Sequence, residues 1–279
     1  MLTRCYLEIT NVCNLDCSFC PGHERRPRQL SVQEFDTLTD KLRGRVKFLY
    51  FHLMGEPCLH NSLPEFIDSA RSKGMIPVLT TNGTHLNGRL LESLPYKINI
   101  SLHAFEGNNG GNPHAYMDSV MGFSLKAAGK GCIVVLRLWN QGGLESLNME
   151  IVDMLHEYVP SAWKENSGGF ELMRGLYLEF DSKFDWPDSG EGGDVYADNL
   201  FCYALRNQIG ILSDGTAVPC CLDHNGRMPL GNLFTQSLEQ ILESDAARRI
   251  YNGFTAHKAV EPMCRKCGYA AQTKRYRMD

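Results

Sequence analysis

The chain has 279 residues, of which 43% are hydrophobic and 22% charged, so it can bury the core of one large domain and a small second one. A net charge of −4 gives no support for a nucleic-acid partner, and no apolar run approaches the roughly 18 residues of a membrane span. There is no room for a signal peptide before the first predicted strand, so we expect a cytoplasmic protein. In that compartment, eleven cysteines are better explained as metal ligands than as disulfides.

Short apolar runs alternate with amphipathic stretches up to about residue 180. The amphipathic stretches predict five helices: Ser31–Leu42, Leu63–Lys73, Leu86–Ser93, Ala115–Ala128 and Leu144–Tyr158. The first of them carries Ser31 and Glu34 at the spacing of a capping box. The apolar runs predict six strands: Cys5–Thr10, Val46–Leu53, Ile76–Thr80, Ile98–Leu102, Ile133–Leu138 and Leu176–Phe180. This alternation predicts parallel strands with helical crossovers, either as a (β/α)6 partial barrel or as an open doubly wound sheet.

Three cysteines come soon after the first strand. Cys13, Cys17 and Cys20 have the spacing Cys-x3-Cys-x2-Cys on one short loop. Three thiolates can bind three irons of a [4Fe–4S] cluster and leave the fourth iron open. A disulfide framework and a zinc loop are the alternatives, but the zinc site would need His23 as its fourth ligand, at an unusual spacing.

The spacing and position of these cysteines resemble the radical S-adenosylmethionine (SAM) superfamily. The resemblance implies a partial (β/α)6 TIM barrel whose active site lies at the carboxyl ends of the strands. It also implies that the amino and carboxylate groups of SAM chelate the open iron. One electron, supplied by a flavodoxin- or ferredoxin-type donor, then cleaves SAM to a 5′-deoxyadenosyl radical.

Two further motifs resemble SAM contacts of this superfamily. Gly55 and Glu56 lie in Met54-Gly55-Glu56-Pro57, which is similar to the GGEP motif whose backbone and glutamate receive the SAM amino group. Met54 replaces the first glycine of that motif. Phe19, inside the cysteine loop, is similar to the aromatic residue whose backbone contacts adenine.

Polar residues at the ends of the third to fifth strands complete the predicted SAM site. Thr80, Asn82 and Ser101 are suited to ribose or methionyl contacts, although Thr80 and Ser101 could equally satisfy backbone groups at strand ends. Arg137 can pair with the SAM carboxylate, or it could be a structural ion-pair partner. Asn140 lies just beyond it.

Oxidation of a substrate after hydrogen abstraction needs a base. The candidates are strand-end residues predicted to face the cavity, each of which could instead order a loop: His52, His103, Glu179 and Asp181. The segment from His23 to Arg28 could contact an anionic substrate or form a solvated loop.

A thiol could instead donate a hydrogen atom to a substrate radical, which would make the protein an epimerase. Cys58 and Cys221 are the candidate donors. Cys5 and Cys132 are expected in the core, because both lie near strand starts.

The composition changes at residues 181–201, where Asp, Ser, Gly, Pro and Trp predict a linker between a barrel at 1–180 and a domain at 202–279. In that domain Asp214-Gly215 predicts a hairpin of Ile209–Leu212 and Thr216–Pro219, followed by a helix at Gln236–Tyr251. Four thiolates here fit a closed [4Fe–4S] cluster or a structural zinc.

The cysteines of this domain and the phrases around them resemble the SPASM/Twitch extension of radical SAM enzymes. No cysteine follows Cys267, so the resemblance implies one auxiliary [4Fe–4S] cluster. Cys221 is an alternative to Cys220, which we favour because its separation from Cys202 is similar to that in aminocyclitol dehydrogenases of the Twitch subgroup. The ligands implied are Cys202, Cys220, Cys264 and Cys267.

These features predict a radical SAM enzyme with two [4Fe–4S] clusters that dehydrogenates a sugar or aminocyclitol, with the auxiliary cluster as electron acceptor. The alternative substrate is a ribosomally made peptide, modified by epimerisation or crosslinking, although no leader-binding segment precedes the barrel. An alternative of another class is a non-catalytic iron–sulfur electron carrier or sensor. The presence of the SAM-binding candidates Gly55, Glu56 and Arg137 makes this alternative less favoured. No nucleic-acid or membrane partner is expected.

Overall fold

A computed structural model describes residues 2–108, 111–187 and 199–275. Its strands form one eleven-stranded sheet in the order β11-β10-β9-β1-β2-β3-β4-β5-β8-β7-β6. The strands are β1 (Leu2–Leu7), β2 (Val46–Tyr50), β3 (Ile76–Thr81), β4 (Lys97–Ser101), β5 (Ile133–Gln141), β6 (Lys164–Asn166), β7 (Gly169–Met173), β8 (Leu176–Ser182), β9 (Gln208–Ile211), β10 (Thr216–Val218) and β11 (Gly231–Asn232).

The six predicted barrel strands are β1 to β5 and β8, and each pairs in parallel with the next. Helices cross over between them, as the alternating sequence pattern predicts. The edge strands β11 and β6 do not pair with each other in the described part of the chain, so the sheet is open rather than a closed barrel. The predicted partial (β/α)6 barrel is confirmed.

The helices follow the predicted order, with small shifts at their ends. They are α1 (Val32–Leu42), α2 (Leu63–Ser72), α3 (Gly88–Glu92), α4 (His103–Glu106), α5 (Pro113–Gly129), α6 (Asn148–Tyr158), α7 (Leu238–Leu242), α8 (Asp245–Thr255), α9 (Pro262–Arg265) and α10 (Gly268–Arg275). The capping box of α1 is present, with Ser31 accepting from the backbone of Glu34 and Glu34 accepting from that of Ser31.

Three predictions about local structure were incomplete. The single helix predicted at Gln236–Tyr251 is two helices, because Ser237 caps α7 and Ser244 caps α8. The hairpin of β6 and β7 was missed because β6 is short and its residues are exposed, without an apolar alternation. Helix α4, of only four residues, gave no periodic signal.

Each barrel strand has one face in the core and one face in the barrel interior. Leu7, Leu79 and Leu136 are fully buried against the helices, and Cys5 and Cys132 lie in the same core as expected. Alternation places the neighbouring residues on the opposite face of the sheet. That inner face carries Tyr6, Tyr50, His52, Thr80, Asn99, Ser101, Arg137 and Glu179.

The C-terminal segment continues the barrel sheet, because β9 pairs in parallel with β1. The predicted boundaries of 1–180 and 202–279 therefore stay a prediction. Of the predicted linker at 181–201, residues 181 and 182 belong to β8 and residues 188–198 lie outside the described residues. No helix in the described ranges is long and apolar enough to span a bilayer.

Candidate functional site

The cysteine loop follows β1 at the carboxyl end of the strand. Cys13 and Cys20 are exposed and Cys17 is half-buried. The sulfurs of Cys13 and Cys17 accept hydrogen bonds from the Leu15 backbone (3.4 Å) and from the Asn108 amide (2.9 Å). Burial raises the pKa of Cys17 to about 11, the Asn108 amide lowers it, and the nearby Cys20 and Cys13 raise it further. The three sulfurs are therefore neighbours, and N–H groups are in place to stabilise them as thiolates. Three such thiolates are the protein ligands that an open [4Fe–4S] cluster needs.

Gly55 packs against the start of this loop. Its φ is +77°, and a Cβ at this position would lie 2.5 Å from the Thr10 carbonyl oxygen. The Glu56 backbone N–H donates to the Val12 carbonyl over 2.9 Å. Only glycine permits this approach, so the predicted motif does lie beside the cysteine loop.

The Glu56 carboxylate links the loops after β2 and β3. It is 2% exposed and accepts hydrogen bonds from Cys58 N (2.8 Å), Thr81 Oγ1 (2.7 Å) and Asn82 N (2.7 Å). Burial raises the pKa of Glu56, and the Asn82 and Cys58 backbone donors oppose that rise. The hydrogen bonds of Glu56 therefore position these two loops, and its contact with SAM stays a prediction.

Asn82 joins the third strand to the cysteine loop. Its Nδ2 donates to Asn14 Oδ1 over 3.1 Å, and its Oδ1 accepts from the Thr84 N–H over 2.9 Å. The Tyr116 hydroxyl donates to the Asn82 carbonyl over 2.8 Å. Asn82 is thus close to the predicted SAM site while its amide is already engaged.

Arg137 is a largely buried cationic group on the inner face, and its contact with the SAM carboxylate stays a prediction. It stands opposite Ser101 on β4 and Glu179 on β8. Its side chain is 15% exposed, its guanidinium lies 3.9 Å from the Trp139 ring centre, and Nε is 3.8 Å from Glu179 Oε2. Burial lowers the pKa of Arg137 to about 10, so it stays charged at neutral pH. Buried Nε has no hydrogen-bond partner among the described residues, which suits an anionic ligand.

The two histidines predicted as bases are neutral. Burial and the charge of Arg137 lower the pKa of His52 to about 3, and its ring packs near Tyr6 and Tyr50. Burial also lowers the pKa of His103, whose Nδ1 donates to the Arg137 carbonyl over 3.0 Å. Both rings lie along the inner wall, and the low pKa makes His52 a weak proton acceptor, so a catalytic role for either histidine stays a prediction.

The other inner-wall residues have weaker contacts. Glu179 lies 4.0 Å from Lys97 Nζ, and Asp181 accepts from the Ser182 N–H over 2.8 Å. Thr80 Oγ1 accepts from Asn99 Nδ2 over 3.2 Å. These residues are half-buried and fit the predicted positions at strand ends.

Two predicted site residues have structural partners away from the cavity. Asn140 Nδ2 donates to the Leu144 carbonyl (2.7 Å) and to Asn148 Oδ1 (2.9 Å), so its amide orders the entry to α6 rather than facing SAM. Cys58 packs against the hydrophobic core, and burial together with the Glu56 charge raises its pKa well above the ordinary value. It lines a cleft together with Leu63 of α2 and Leu90 of α3, on the helix side of the sheet.

Phe19 and Trp186 join the cysteine loop to the chain after β8. The Phe19 ring is 40% exposed and lies 5.0 Å from the His103 ring. Its carbonyl accepts from Trp186 Nε1 over 3.1 Å, so this backbone oxygen already has a donor. The predicted adenine contact of Phe19 stays a prediction.

Two arginines of the basic segment after the cysteine loop are bound to other parts of the protein, and contact of the segment with an anionic substrate stays a prediction. Arg25 forms a bidentate pair with fully buried Glu8, and its Nε donates to the His224 carbonyl over 2.7 Å. Arg28 donates to the Ser213 carbonyl over 2.7 Å. His23, the possible zinc ligand, instead has Nε2 2.8 Å from the Asn11 carbonyl. This segment therefore clamps the cysteine loop to the C-terminal region, which sequence spacing does not reveal.

A second group of cysteines lies in the C-terminal region, half-buried against the core. Backbone N–H groups of Ala204 and Ala270 donate to two of the sulfurs, over 3.5 and 3.4 Å. Burial raises the pKa of Cys220 well above its ordinary value, and the neighbouring thiols add to that rise. The group comprises Cys202, Cys220, Cys264 and Cys267.

Cys221 lies beside this group and also packs toward the barrel. It is in a cluster with Tyr6, Leu53 and Val218 on the inner side of the sheet. Burial raises its pKa to about 12, and the nearby Cys267 and Cys202 add to that rise. The packing of Cys221 on Tyr6 supports Cys220 as the fourth ligand, and the choice between the two stays a prediction.

No three Cys, His, Asp or Glu side chains of residues 2–108, 111–187 and 199–275 are close enough to bind a single metal ion. A [4Fe–4S] cluster needs a wider arrangement, because each sulfur binds a different iron. Ligands that are all sulfurs, and that accept hydrogen bonds from N–H groups, fit a [4Fe–4S] cluster.

Comparison with known families agrees with this geometry. Residues 7–164 match the radical SAM superfamily. The chain belongs to this superfamily. Residues 202–268 match SPASM, an iron–sulfur cluster-binding domain. Membership confirms the predicted cofactors, SAM with a [4Fe–4S] cluster in the barrel and an auxiliary cluster in the C-terminal domain, while the ligand residues stay predictions. Radical SAM enzymes act on small molecules or peptides.

Several curated proteins are similar to all or part of the chain. An S-adenosyl-L-methionine-dependent 2-deoxy-scyllo-inosamine dehydrogenase of Niallia circulans is 22% identical over 288 residues, covering 94% of this chain and 90% of that protein. An Fe-coproporphyrin III synthase of Methanosarcina barkeri is 33% identical over 89 residues, or 31% of this chain. This match spans only 22% of the Methanosarcina protein. A match to a tungsten-containing aldehyde ferredoxin oxidoreductase cofactor-modifying protein of Pyrococcus furiosus spans only 26% of that protein.

Solved structures resemble the whole chain. BtrN in complex with AdoMet and 2-DOIA has a TM-score of 0.66 at 17% identity, covering 96% of this chain and 93% of that one. Streptococcus suis SuiB has a TM-score of 0.63 at 15% identity, covering 97% of this chain and 72% of that one. At such identities the likeness shows the fold alone.

Proposed function

We propose that the protein is a radical SAM oxidoreductase that dehydrogenates an alcohol of a sugar or aminocyclitol. The observation that carries the proposal is that the chain holds both a three-cysteine loop and a group of four C-terminal cysteines, with Cys221 beside that group packed against the inner barrel residue Tyr6. The similarity of nearly the whole chain to an aminocyclitol dehydrogenase supports the choice of substrate class.

Each part of the site has a task in this reaction. Cys13, Cys17 and Cys20 hold the first cluster, which with bound SAM supplies the 5′-deoxyadenosyl radical. Gly55 lets the loop after β2 approach the cysteine loop, and Arg137 pairs with the SAM carboxylate.

Dehydrogenation also removes a second electron and a proton from the substrate. His103, which lies on the inner wall beside Phe19, is the base that we favour, with His52, Glu179 and Asp181 as the other candidates; burial makes His52 a weaker base. The four C-terminal cysteines close the auxiliary cluster, which therefore serves as electron acceptor rather than substrate ligand. A flavodoxin- or ferredoxin-type protein in the cytoplasm supplies the first electron.

The test is an anaerobic assay of protein with both clusters, dithionite and SAM. We expect 5′-deoxyadenosine, and a panel of aminocyclitols and sugars should contain a compound that is oxidised in equal amount. A total lack of 5′-deoxyadenosine would contradict the proposal that the protein is an enzyme. A non-catalytic electron carrier would then be the remaining hypothesis.

Peptide modification is the second candidate. It is favoured by the position of Cys221, whose thiol neighbours the inner residue Tyr6 and could donate a hydrogen atom to a substrate radical. The similar fold of SuiB, which has been solved with its precursor peptide SuiA, points the same way. Deuterium incorporation into a peptide from D2O, lost in Cys221→Ala, would replace the dehydrogenase proposal with epimerisation.

A further inference from the structure

Asn108 lies directly after α4 and touches the cysteine loop. Its side-chain Nδ2 donates to Cys17 Sγ over 2.9 Å and to the Ala104 carbonyl over 2.7 Å. Its Oδ1 accepts from the Asp16 backbone N–H over 2.8 Å. Both amide hydrogens and the amide oxygen are therefore used, and two of the three bonds go to the loop.

These partners fix which end of the amide faces the sulfur. The Asp16 N–H can only donate and the Ala104 carbonyl can only accept. A flipped amide would lose both bonds and turn its oxygen toward Cys17. The contact with Cys17 is therefore an N–H donor to sulfur.

The backbone beside Asn108 is held against the same loop. The Ser18 N–H donates to the Gly107 carbonyl over 2.9 Å. A Cβ at Gly107 would lie 2.6 Å from the Phe19 ring, so the two segments are in close contact. The Asn108 amide is thus placed by backbone bonds on both sides of Cys17.

We propose that Asn108 is a positioning residue that raises the reduction potential of the cluster held by Cys13, Cys17 and Cys20. Reduction adds one electron and makes the cluster sulfurs more negative, while no covalent bond forms or breaks. A hydrogen-bond donor at a sulfur therefore stabilises the reduced form more than the oxidised form. The electron comes from the one-electron donor of the proposed function, on which this inference rests.

The test compares Asn108→Asp with the unaltered protein in an anaerobic redox titration followed by EPR. Aspartate keeps an oxygen that can accept from the Asp16 N–H, but it has no N–H for Cys17 and adds a negative charge. We expect the barrel-cluster equilibrium to shift at least tenfold toward the oxidised form, which is about 59 mV for one electron. The auxiliary cluster of the same sample should titrate unchanged.

Asn112→Asp is the matched control. Asn112 caps α5 at an exposed position, and aspartate caps equally well, so this variant adds the same charge without touching a cysteine. An equal shift in both variants, or none in Asn108→Asp, would overturn the proposal. The proposed function fails differently, as missing 5′-deoxyadenosine from protein whose clusters titrate normally.

A second measurement does not depend on any variant at Asn108. Unaltered protein labelled with 15N in asparagine side chains should show nitrogen coupling to the reduced barrel cluster in pulsed EPR. Absence of that coupling would contradict the hydrogen bond to Cys17, even if the Asn108→Asp protein fails to fold or to bind the cluster.

Discussion

The two cysteine sites differ in how the protein encloses them. Cys13 and Cys20 are exposed on a loop, whereas the C-terminal cysteines are half-buried against the hydrophobic core. The loop has three sulfurs, and the C-terminal site has four with a fifth beside it. An open cluster with a free iron suits a ligand that must enter and leave, whereas a closed and packed cluster suits electron transfer.

The largest expected effect is at the open site. Cys17→Ser should abolish 5′-deoxyadenosine formation, because the barrel cluster loses one of its three thiolates. Iron per chain should fall from about eight to about four, since each cluster holds four irons. Cys132→Ala changes a core cysteine outside both sites and should keep both clusters and the activity. Full activity of the Cys17→Ser protein would show that this loop does not hold the SAM-cleaving cluster.

At the closed site, Cys264→Ser should also remove about four irons per chain but should leave cleavage of SAM detectable. Substrate oxidation should stop, because the second electron has no acceptor. Chemical iron analysis and product assays measure the two effects.

Cys221→Ser is the matched variant at this site, because Cys221 faces the inner side of the sheet. It should keep about eight irons per chain. If Cys221→Ser loses iron and Cys220→Ser does not, then Cys221 rather than Cys220 is the fourth cluster ligand.

The contact between the two regions can be tested at Arg25. Arg25→Ala leaves buried Glu8 without its charged partner and should lower the free energy of unfolding by about 3–5 kcal/mol. Anaerobic denaturant titration measures the loss. Arg45→Ala breaks the exposed pair with Glu239 and should cost at most about 1 kcal/mol. Equal losses would mean that burial does not distinguish these pairs.

A smaller effect is expected from glycine at the cysteine loop. Gly55→Ala and Gly74→Ala both place a side chain at left-handed φ, +77° and +79°, with a cost of about 1–2 kcal/mol each. Only Gly55 has backbone within contact distance of the new Cβ, so only Gly55→Ala should also lower SAM cleavage. Similar SAM cleavage in both variants would show that the loop tolerates displacement.

The smallest effect concerns pH. His52 is neutral when folded, with a pKa of about 3, against 6.5 for an ordinary histidine. Below pH 6.5 the unfolded chain binds a proton that the folded protein does not, so stability falls as pH falls through this range.

His52→Phe should therefore reduce the loss of stability between pH 6.5 and pH 5.5 by up to about 1.4 kcal/mol per pH unit. Denaturant titrations at the two pH values measure it. His114→Phe, at an exposed position, controls for removing any histidine. An unchanged slope in His52→Phe would mean that His52 is protonated in the folded protein.

Much of the fold and the metal-binding pattern could be read from residue order. Alternating apolar runs predicted the six barrel strands, because buried parallel strands and amphipathic helices have different periods. Cysteine spacing predicted the group of Cys13, Cys17 and Cys20, since these are close in sequence, whereas the four C-terminal cysteines were grouped through the family resemblance because they are far apart in the chain. Local patterns could not predict Asn108 at Cys17 or Arg25 on Glu8, because these contacts join residues far apart in the chain.

The sequence by itself thus determined the six parallel barrel strands, the three-cysteine loop and the family. The tertiary structure decided which side chains face the cavity. It turned the Asn140 amide toward α6, packed Cys58 against the core and Cys221 against Tyr6, and placed Asn108 at Cys17 Sγ. The reason is physical: spacing sets which residues can meet, but the direction of a side chain depends on the packing and hydrogen bonds of the folded sheet.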